Sequence, residues 1–325
     1  MNSFDILRVA AALAVIFHHT FPLNGRPPFK LLGADFGALG VGIFFVVSGY
    51  LVTASFRRSN GALAYFVRRS LRIWPGLVIS LIFTAVVLGP LVTTLPAADY
   101  FSDPQTALYV VRNTLLYPVT YDLPGVFKSN PVDAVNGSLW TLRLEFTCYL
   151  GIALLGMAKL LNARVLALAA IGVGALAVLL YVAMPALAGS PVMRLVKVGS
   201  LFGFLFLAGA FMAVRGDRGL GWAAAASAGL LFTPVWFLGL PAVALWVGLR
   251  PTRRLPADFS YGLYIYAFPI QQVLAGHGAL GFWLSLACTL PLAAASWFLV
   301  ERPALGLKPR ARAQDPGPLP AAAAP

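Results

Sequence analysis

The sequence predicts an all-α fold, a polytopic membrane helical bundle of about ten transmembrane helices with both termini cytoplasmic. Three observations carry that prediction. Of 325 residues, 59% are hydrophobic and 11% charged. Mean hydropathy is +0.81, and apolar runs of spanning length recur along the chain. Lys and Arg are concentrated in alternate connecting segments, the orientation signal of helical membrane proteins.

The predicted spans are residues 4–23, 38–56, 71–95, 138–158, 163–184, 198–214, 219–233, 235–249, 259–276 and 279–299. The first carries an Arg and two His inside its apolar run and no small-residue cleavage site, so it reads as a span and not a signal peptide. Pro234 separates the seventh from the eighth, which are either one broken helix or two short ones. With ten spans, sixteen Lys and Arg fall on one side, including Arg57, Arg58, Arg68, Arg69 and Arg72 and the stretches 250–254 and 302–312. The other side has six, Arg26, Lys30, Arg112, Lys128, Arg194 and Lys197. The excess marks the cytoplasm, which receives both termini.

A membrane domain over 1–305 is therefore expected, followed by a disordered cytoplasmic tail, 306–325, with Pro316, Pro318, Pro320 and a run of alanines. The net charge of +13 lies in short loops beside apolar spans, where it serves topology and anionic lipid, so nucleic acid is not an expected partner. Cys148 and Cys288 both sit in apolar segments, where a thiol acts as a small hydrophobe. Neither a disulfide framework nor a metal site is expected.

Three polar clusters interrupt the spans. Asp5, Arg8, His18 and His19 fall on the first, where ionisable groups are costly unless paired or set against a wet cavity. At about 100° per residue, the eleven steps from Arg8 to His19 return to within about 20° of one face, and Asp5 shares it. His18 points about 80° away, and Arg8 and His19 are about 16 Å apart along the axis. Snorkelling at the helix ends is the alternative for any one of these residues. The second cluster, Arg57, Arg58, Arg68, Arg69 and Arg72 between Phe56 and Pro75, suits a polyphosphate, although the positive-inside signal alone accounts for such clusters more often than ligand binding does. The third is Glu145, about 10 Å into the fourth span and close to the depth of His19. It either orients the histidine or pairs with a neighbouring Arg.

Arg8 with His19 after ten intervening residues, then Phe44-Phe45-Val46-Val47-Ser48-Gly49-Tyr50, Arg69-Ser70-Leu71-Arg72-Ile73-Trp74-Pro75, Ser138-Leu139-Trp140 with Glu145, and Glu301-Arg302-Pro303 stand in this order. Together they resemble the membrane acyltransferase-3 family, over essentially the whole chain to about residue 305. The resemblance implies an inner-membrane enzyme of ten helices that moves an acyl group, usually acetyl from acetyl-CoA, to a hydroxyl of a saccharide or other acceptor. It makes His19 the essential histidine, Arg8 its motif partner and Arg69 with Arg72 the arginine pair.

The expected mechanism follows from motif and spacing together. Acyl-CoA enters from the cytoplasm with its phosphates on Arg68, Arg69 and Arg72, and its pantetheine arm runs past Arg8, Ser48 and Tyr50. His19 acts as general base on the acceptor hydroxyl, or carries the acyl group itself, with Glu145 as orienter and His18 in reserve. Trp140, Asp122 and Asn136 are the expected acceptor contacts, beside the long outer connection 96–137, part of which, near 107–119, is expected to be an interfacial helix. No permanently bound cofactor is expected. The expected partners are the bilayer, acyl-CoA, a saccharide acceptor and glycan-assembly proteins. A transporter or flippase for a lipid-linked saccharide is the rival, since polar stripes also mark translocation paths. An acyl-binding subunit without turnover is a third reading.

Overall fold

The long apolar runs of the sequence are helical, and side-chain caps fix where several of them begin. The computed structural model describes residues 3–31, 33–184, 189–252, 255–278 and 280–308. Among these, seven helical stretches are long and apolar enough to cross a membrane: Phe4–Asn24, Phe36–Arg57, Gly61–Val92, Leu139–Met157, Ala163–Ala183, Pro191–Arg215 and Leu280–Gly306. Asp35 opens the second by accepting the Ala38 N–H at 2.8 Å, and Asn162 opens the fifth through Val165 at 3.0 Å. Ser190 caps the sixth through Met193 at 3.1 Å, with Pro191 in the first turn.

The other three predicted spans are shorter helices. Leu220–Ser227 continues into a 3-10 turn, Ala228–Phe232, and the chain then extends at Thr233 before Trp236–Gly248. The two fold against each other, so closely that a Cβ on Gly239 would lie 2.4 Å from the Ser227 carbonyl oxygen. Residues 219–249 are thus two short helices and not one broken rod. Ser260–Val273, 14 residues long, is the third.

Several boundaries differ from expectation. The third span begins at Gly61 and not at 71, because Tyr65 and Ile73 continue the buried face of Leu77 and Arg is a good helix former. Arg68, Arg69 and Arg72 therefore stand on a helix and not in a loop. In the outer connection, the expected helix is Pro104–Leu115, capped by Asp103 and preceded by Ala97–Ser102. A two-residue antiparallel pair, Lys30–Leu31 with Ala34–Asp35, interrupts the all-α pattern. Gly306, predicted to open the tail, ends the Arg302–Gly306 helix, and the rest of the predicted tail from 309 lies outside the described residues, as do Arg253 and Arg254.

The Phe36–Arg57 helix is central. It packs on the Phe4–His19 helix and, through Gly49 and Gly209, on Pro191–Arg215. A Cβ on Gly49 would meet the Phe206 carbonyl oxygen at 2.0 Å, and one on Gly209 the Val46 carbonyl oxygen at 2.1 Å. Such backbone contact is the usual use of small residues where bilayer lipid removes the hydrophobic drive. It leaves the polar faces of the first, second and fourth long helices turned to one another.

Candidate functional site

Three cavities with shared walls run along those polar faces. The largest, about 1100 Å³, is lined by Asp5, Arg8, Arg58, Arg68, Arg69, Arg72, Asp258, Arg302 and Lys308 among others. A constriction of about 50 Å³ follows, with Arg8, Val41, Ser48, Glu145, Tyr261 and Tyr264 in its wall. The third, about 510 Å³, takes in Val41, Tyr264, His18, His19, Asp35, Ser138 and Trp140. Arg8 belongs to the first two, and Val41 and Tyr264 to the last two.

The basic cavity is organised by a carboxylate far away in sequence. Asp258 Oδ2 accepts from Arg8 Nη1 and from Arg72 Nη2, each at 2.7 Å. Its Oδ1 accepts the Ser260 hydroxyl at 2.5 Å and N–H at 3.2 Å. Burial alone would raise the Asp258 carboxyl, but Arg8, Arg72 and the Ser260 hydrogen bonds hold it well below the usual carboxylate range. Glu301, brought round by a π-helical turn over Trp297–Glu301, adds a second acid 3.6 Å from Arg72. Arg72 is therefore matched by two carboxylates inside the protein. Arg69 lies over the Tyr149 ring, with Nη2 3.5 Å from Ser55 Oγ and a buried Nε that has no hydrogen-bond partner. Arg68 donates to Ser59 Oγ at 3.1 Å. Burial, then the charges of Arg69, Arg72, Arg68 and Arg8, push the Lys308 ammonium down to about 8. The part of that shift that comes from the four arginines is a positive potential, which favours an anion.

In the constriction, Glu145 Oε1 accepts from Ser48 Oγ at 2.5 Å and from Tyr149 Oη at 2.6 Å. The hydroxyls of Thr141 and Tyr264 meet at 2.6 Å beside it. The sequence suggested Glu145 as orienter of His19, but its hydrogen bonds go to Ser48 and Tyr149. Similar depth on two helices did not bring the groups together, because Glu145 faces the Phe36–Arg57 helix.

Both histidines line the outer cavity. His19 packs edge-on against Phe268, ring centroids 4.8 Å apart, and its Nδ1 is buried without a hydrogen-bond partner. His18 Nδ1 lies 3.2 Å from Asp35 Oδ1, in space that Gly37 leaves open, since a Cβ there would sit 2.6 Å from the ring. Trp140 joins the lining and packs on Phe202.

Other expected contacts are placed differently. Tyr50 packs on Phe4, and it does not appear among the described residues lining the three cavities. Asn136 is buried, donating to the Ile265 carbonyl at 2.9 Å and accepting the Ser138 N–H at 3.1 Å, so its amide is used in holding the chain. Asp122 is exposed and paired with Lys128 at 2.8 Å. Both residues of this long connection have contacts within the protein, Asp122 with Lys128 and Asn136 with the Ile265 carbonyl. Asp258 and Gln271 went unnoticed. A charge count would have flagged Asp258, an acid that follows Arg250, Arg253 and Arg254 within eight residues.

The family described as Acyltransferase domain matches residues 1–301. The chain is 32% identical, over 340 aligned positions covering 93% of it and 95% of the relative, to "O-acetyl transferase" of Shigella phage Sf6. It is 30% identical to "Nodulation protein 10" of Rhizobium leguminosarum bv. viciae, with 94% of each chain covered. No solved structure matches significantly.

Proposed function

Since the chain belongs to the acyltransferase-3 family and is a multi-pass membrane acyltransferase, we propose that it carries an acyl group, acetyl in the first instance, from cytoplasmic acyl-CoA to a hydroxyl of an extracytoplasmic saccharide. The bilayer in question is the inner (plasma) membrane, crossed ten times with both termini inside. The observation that carries this reading is the row of cavities from the arginine cluster to the histidines, joined wall to wall.

The nucleotide end of the donor occupies the basic cavity, where Arg58, Arg68, Arg69 and Lys308 meet its phosphates. Arg8 and Arg72, already joined to Asp258, shape that cavity more than they neutralise the ligand. The pantetheine arm passes the constriction when the Ser48–Glu145 hydrogen bond opens. Eleven helical rises, about 16 Å, separate Arg8 from His19, a distance an extended arm covers. His19 takes the proton of the acceptor hydroxyl, the oxygen attacks the thioester carbonyl, and the C–S bond breaks. The leaving thiolate recovers the proton from the imidazolium. The acceptor sits in the outer cavity against Trp140. The phage relative's name, O-acetyl transferase, favours this reading over a flippase.

Sealed inverted vesicles test it. Acetyl-CoA labelled in the acetyl group and added outside should label saccharide held in the lumen. Labelling confined to acceptor on the coenzyme A side would refute the transmembrane route.

A further inference from the structure

Two buried polar atoms lack partners, His19 Nδ1 on the first helix and Gln271 Oε1 on the Ser260–Val273 helix, and together they point to which nitrogen of His19 is basic. His19 Nδ1 and Gln271 Oε1 are both buried and both lack a hydrogen-bond partner, and the Gln271 side chain is within reach of the ring. A polar atom buried unpaired is costly, so an acceptor and a ring nitrogen within reach of one another are expected to pair.

The orientation of the Gln271 amide is fixed from its other end. Its Nε2 donates to the Ile16 carbonyl at 2.8 Å and lies 3.4 Å from Thr20 Oγ1, both on the segment that carries His19. A backbone carbonyl only accepts, so the amide nitrogen has to face Ile16 and the oxygen has to face away from it. That oxygen only accepts as well. A neutral imidazole has one N–H, and the ring nitrogen of His19 that is buried without a partner is Nδ1. The neighbouring Gln272 holds the same helix end to the outer connection, its Nε2 donating to the carbonyls of Val132 and Ala134, each at 2.6 Å. The amide therefore works from a fixed base.

We propose that Gln271 is the positioning residue of His19: it accepts the Nδ1 proton and leaves Nε2 as the basic nitrogen. This rests on the reading of His19 as general base. Glu145 makes its hydrogen bonds to Ser48 and Tyr149, in a cavity that His19 does not line. A neutral amide fixes the tautomer without the added stabilisation of the imidazolium that a carboxylate would bring.

The chain has three histidines, so protein labelled with 15N-histidine in detergent gives three rings, and His19→Ala identifies the relevant one. His19 should show the protonated-Nδ1 signature, and Gln271→Leu should abolish that bias. The Leu variant should lose about 10–100-fold in kcat, with the donor KM unchanged. Gln271→Glu keeps an acceptor for Nδ1 but loses the donation to Ile16. It should retain most of kcat and move the acid limb of the pH profile upward. A purely structural link predicts the opposite, with Glu as impaired as Leu and the limb unmoved, and that result overturns the proposal. So does a His19 ring protonated on Nε2. Activity in His19→Ala would instead remove the general-base reading itself, whereas an inactive His19→Ala beside an unaltered Gln271→Leu would remove only the role of Gln271.

Discussion

Arg8 and Asp258, 250 positions apart, are joined by a 2.7 Å hydrogen bond, and the same carboxylate oxygen binds Arg72 at the same distance. One acid thus ties the first helix to the third across the mouth of the basic cavity. Cutting the knot leaves two cations facing each other. Asp258→Asn should cost about 3–5 kcal/mol, read as a lower thermal midpoint in detergent. The carboxyl of Asp258 is depressed in the folded protein, so its stabilisation is complete above the unfolded value, about 3.9, and is lost as pH falls through the lower folded value. Between pH 5 and 8 the difference between wild type and variant should be flat. An unchanged midpoint would show that Asp258 bears no such load.

Arg69 and Arg72 should separate. Arg69→Ala removes a group with an unused buried N–H and should raise the donor KM about tenfold. A short thioester without the nucleotide should not respond. Arg72→Ala leaves Asp258 paired to Arg8, takes the arginine from Glu301, and should lower the yield of folded protein as well. Equal behaviour of the two variants on both readouts contradicts the assignment.

Lys308 gives the donor site a pH dependence. With its folded value near 8, bound phosphate restores the ammonium, so binding takes up a proton above that pH. Affinity for coenzyme A should fall as pH rises beyond 8, by at most about tenfold per unit, and Lys308→Met should bind more weakly and without that slope. For stability the sign is reversed. The unfolded chain holds this proton to a higher pH than the folded one, so the penalty present below 8 is relieved as pH climbs toward about 10.4. Calorimetric titration at pH 7, 8 and 9 decides the point.

His19→Ala should abolish transfer while the protein still inserts and binds coenzyme A, whereas His18→Ala should keep measurable activity. His19 shares the Arg8 face, and His18 is turned to Asp35. Equal loss in both, measured as product by mass spectrometry, would shift the assignment to the pair.

Gly209→Val tests the central packing. Its side chain would enter the space of the Val46 carbonyl oxygen, which should cost at least about 1–3 kcal/mol and lower the midpoint, without a specific effect on donor KM.

Much of this arrangement was legible in the sequence because its parts are local. The period of a helix puts Arg8 and His19 on one face, the arginine cluster lies within a few turns, and Trp140 follows a helix start. What the sequence concealed is pairing between distant segments. Whether Glu145 meets His19 or Ser48 depends on the rotation of two helices about their axes, which hydropathy does not encode. Asp258 looks like a loop residue and Gln271 like a tolerated polar residue until the fold sets them against Arg8 and Ile16. Asn136 shows the same limit from the other side, since an amide in an outer loop serves a ligand or a backbone carbonyl equally well, and here it is buried against Ile265.

On the proposed transmembrane route, the small constriction would also act as an insulator. With open cavities on both flanks, the voltage across the bilayer would fall mainly over the segment lined by Arg8 and Tyr264, at about 2.3 kcal/mol per elementary charge per 100 mV. Under the proposed route, the charged nucleotide stays on the near side of that drop and only the neutral arm and its acyl group enter it. An energised membrane would neither drive nor oppose the transfer, and the closed Ser48–Glu145 bond would keep ions from leaking through an enzyme that is hollow from both ends.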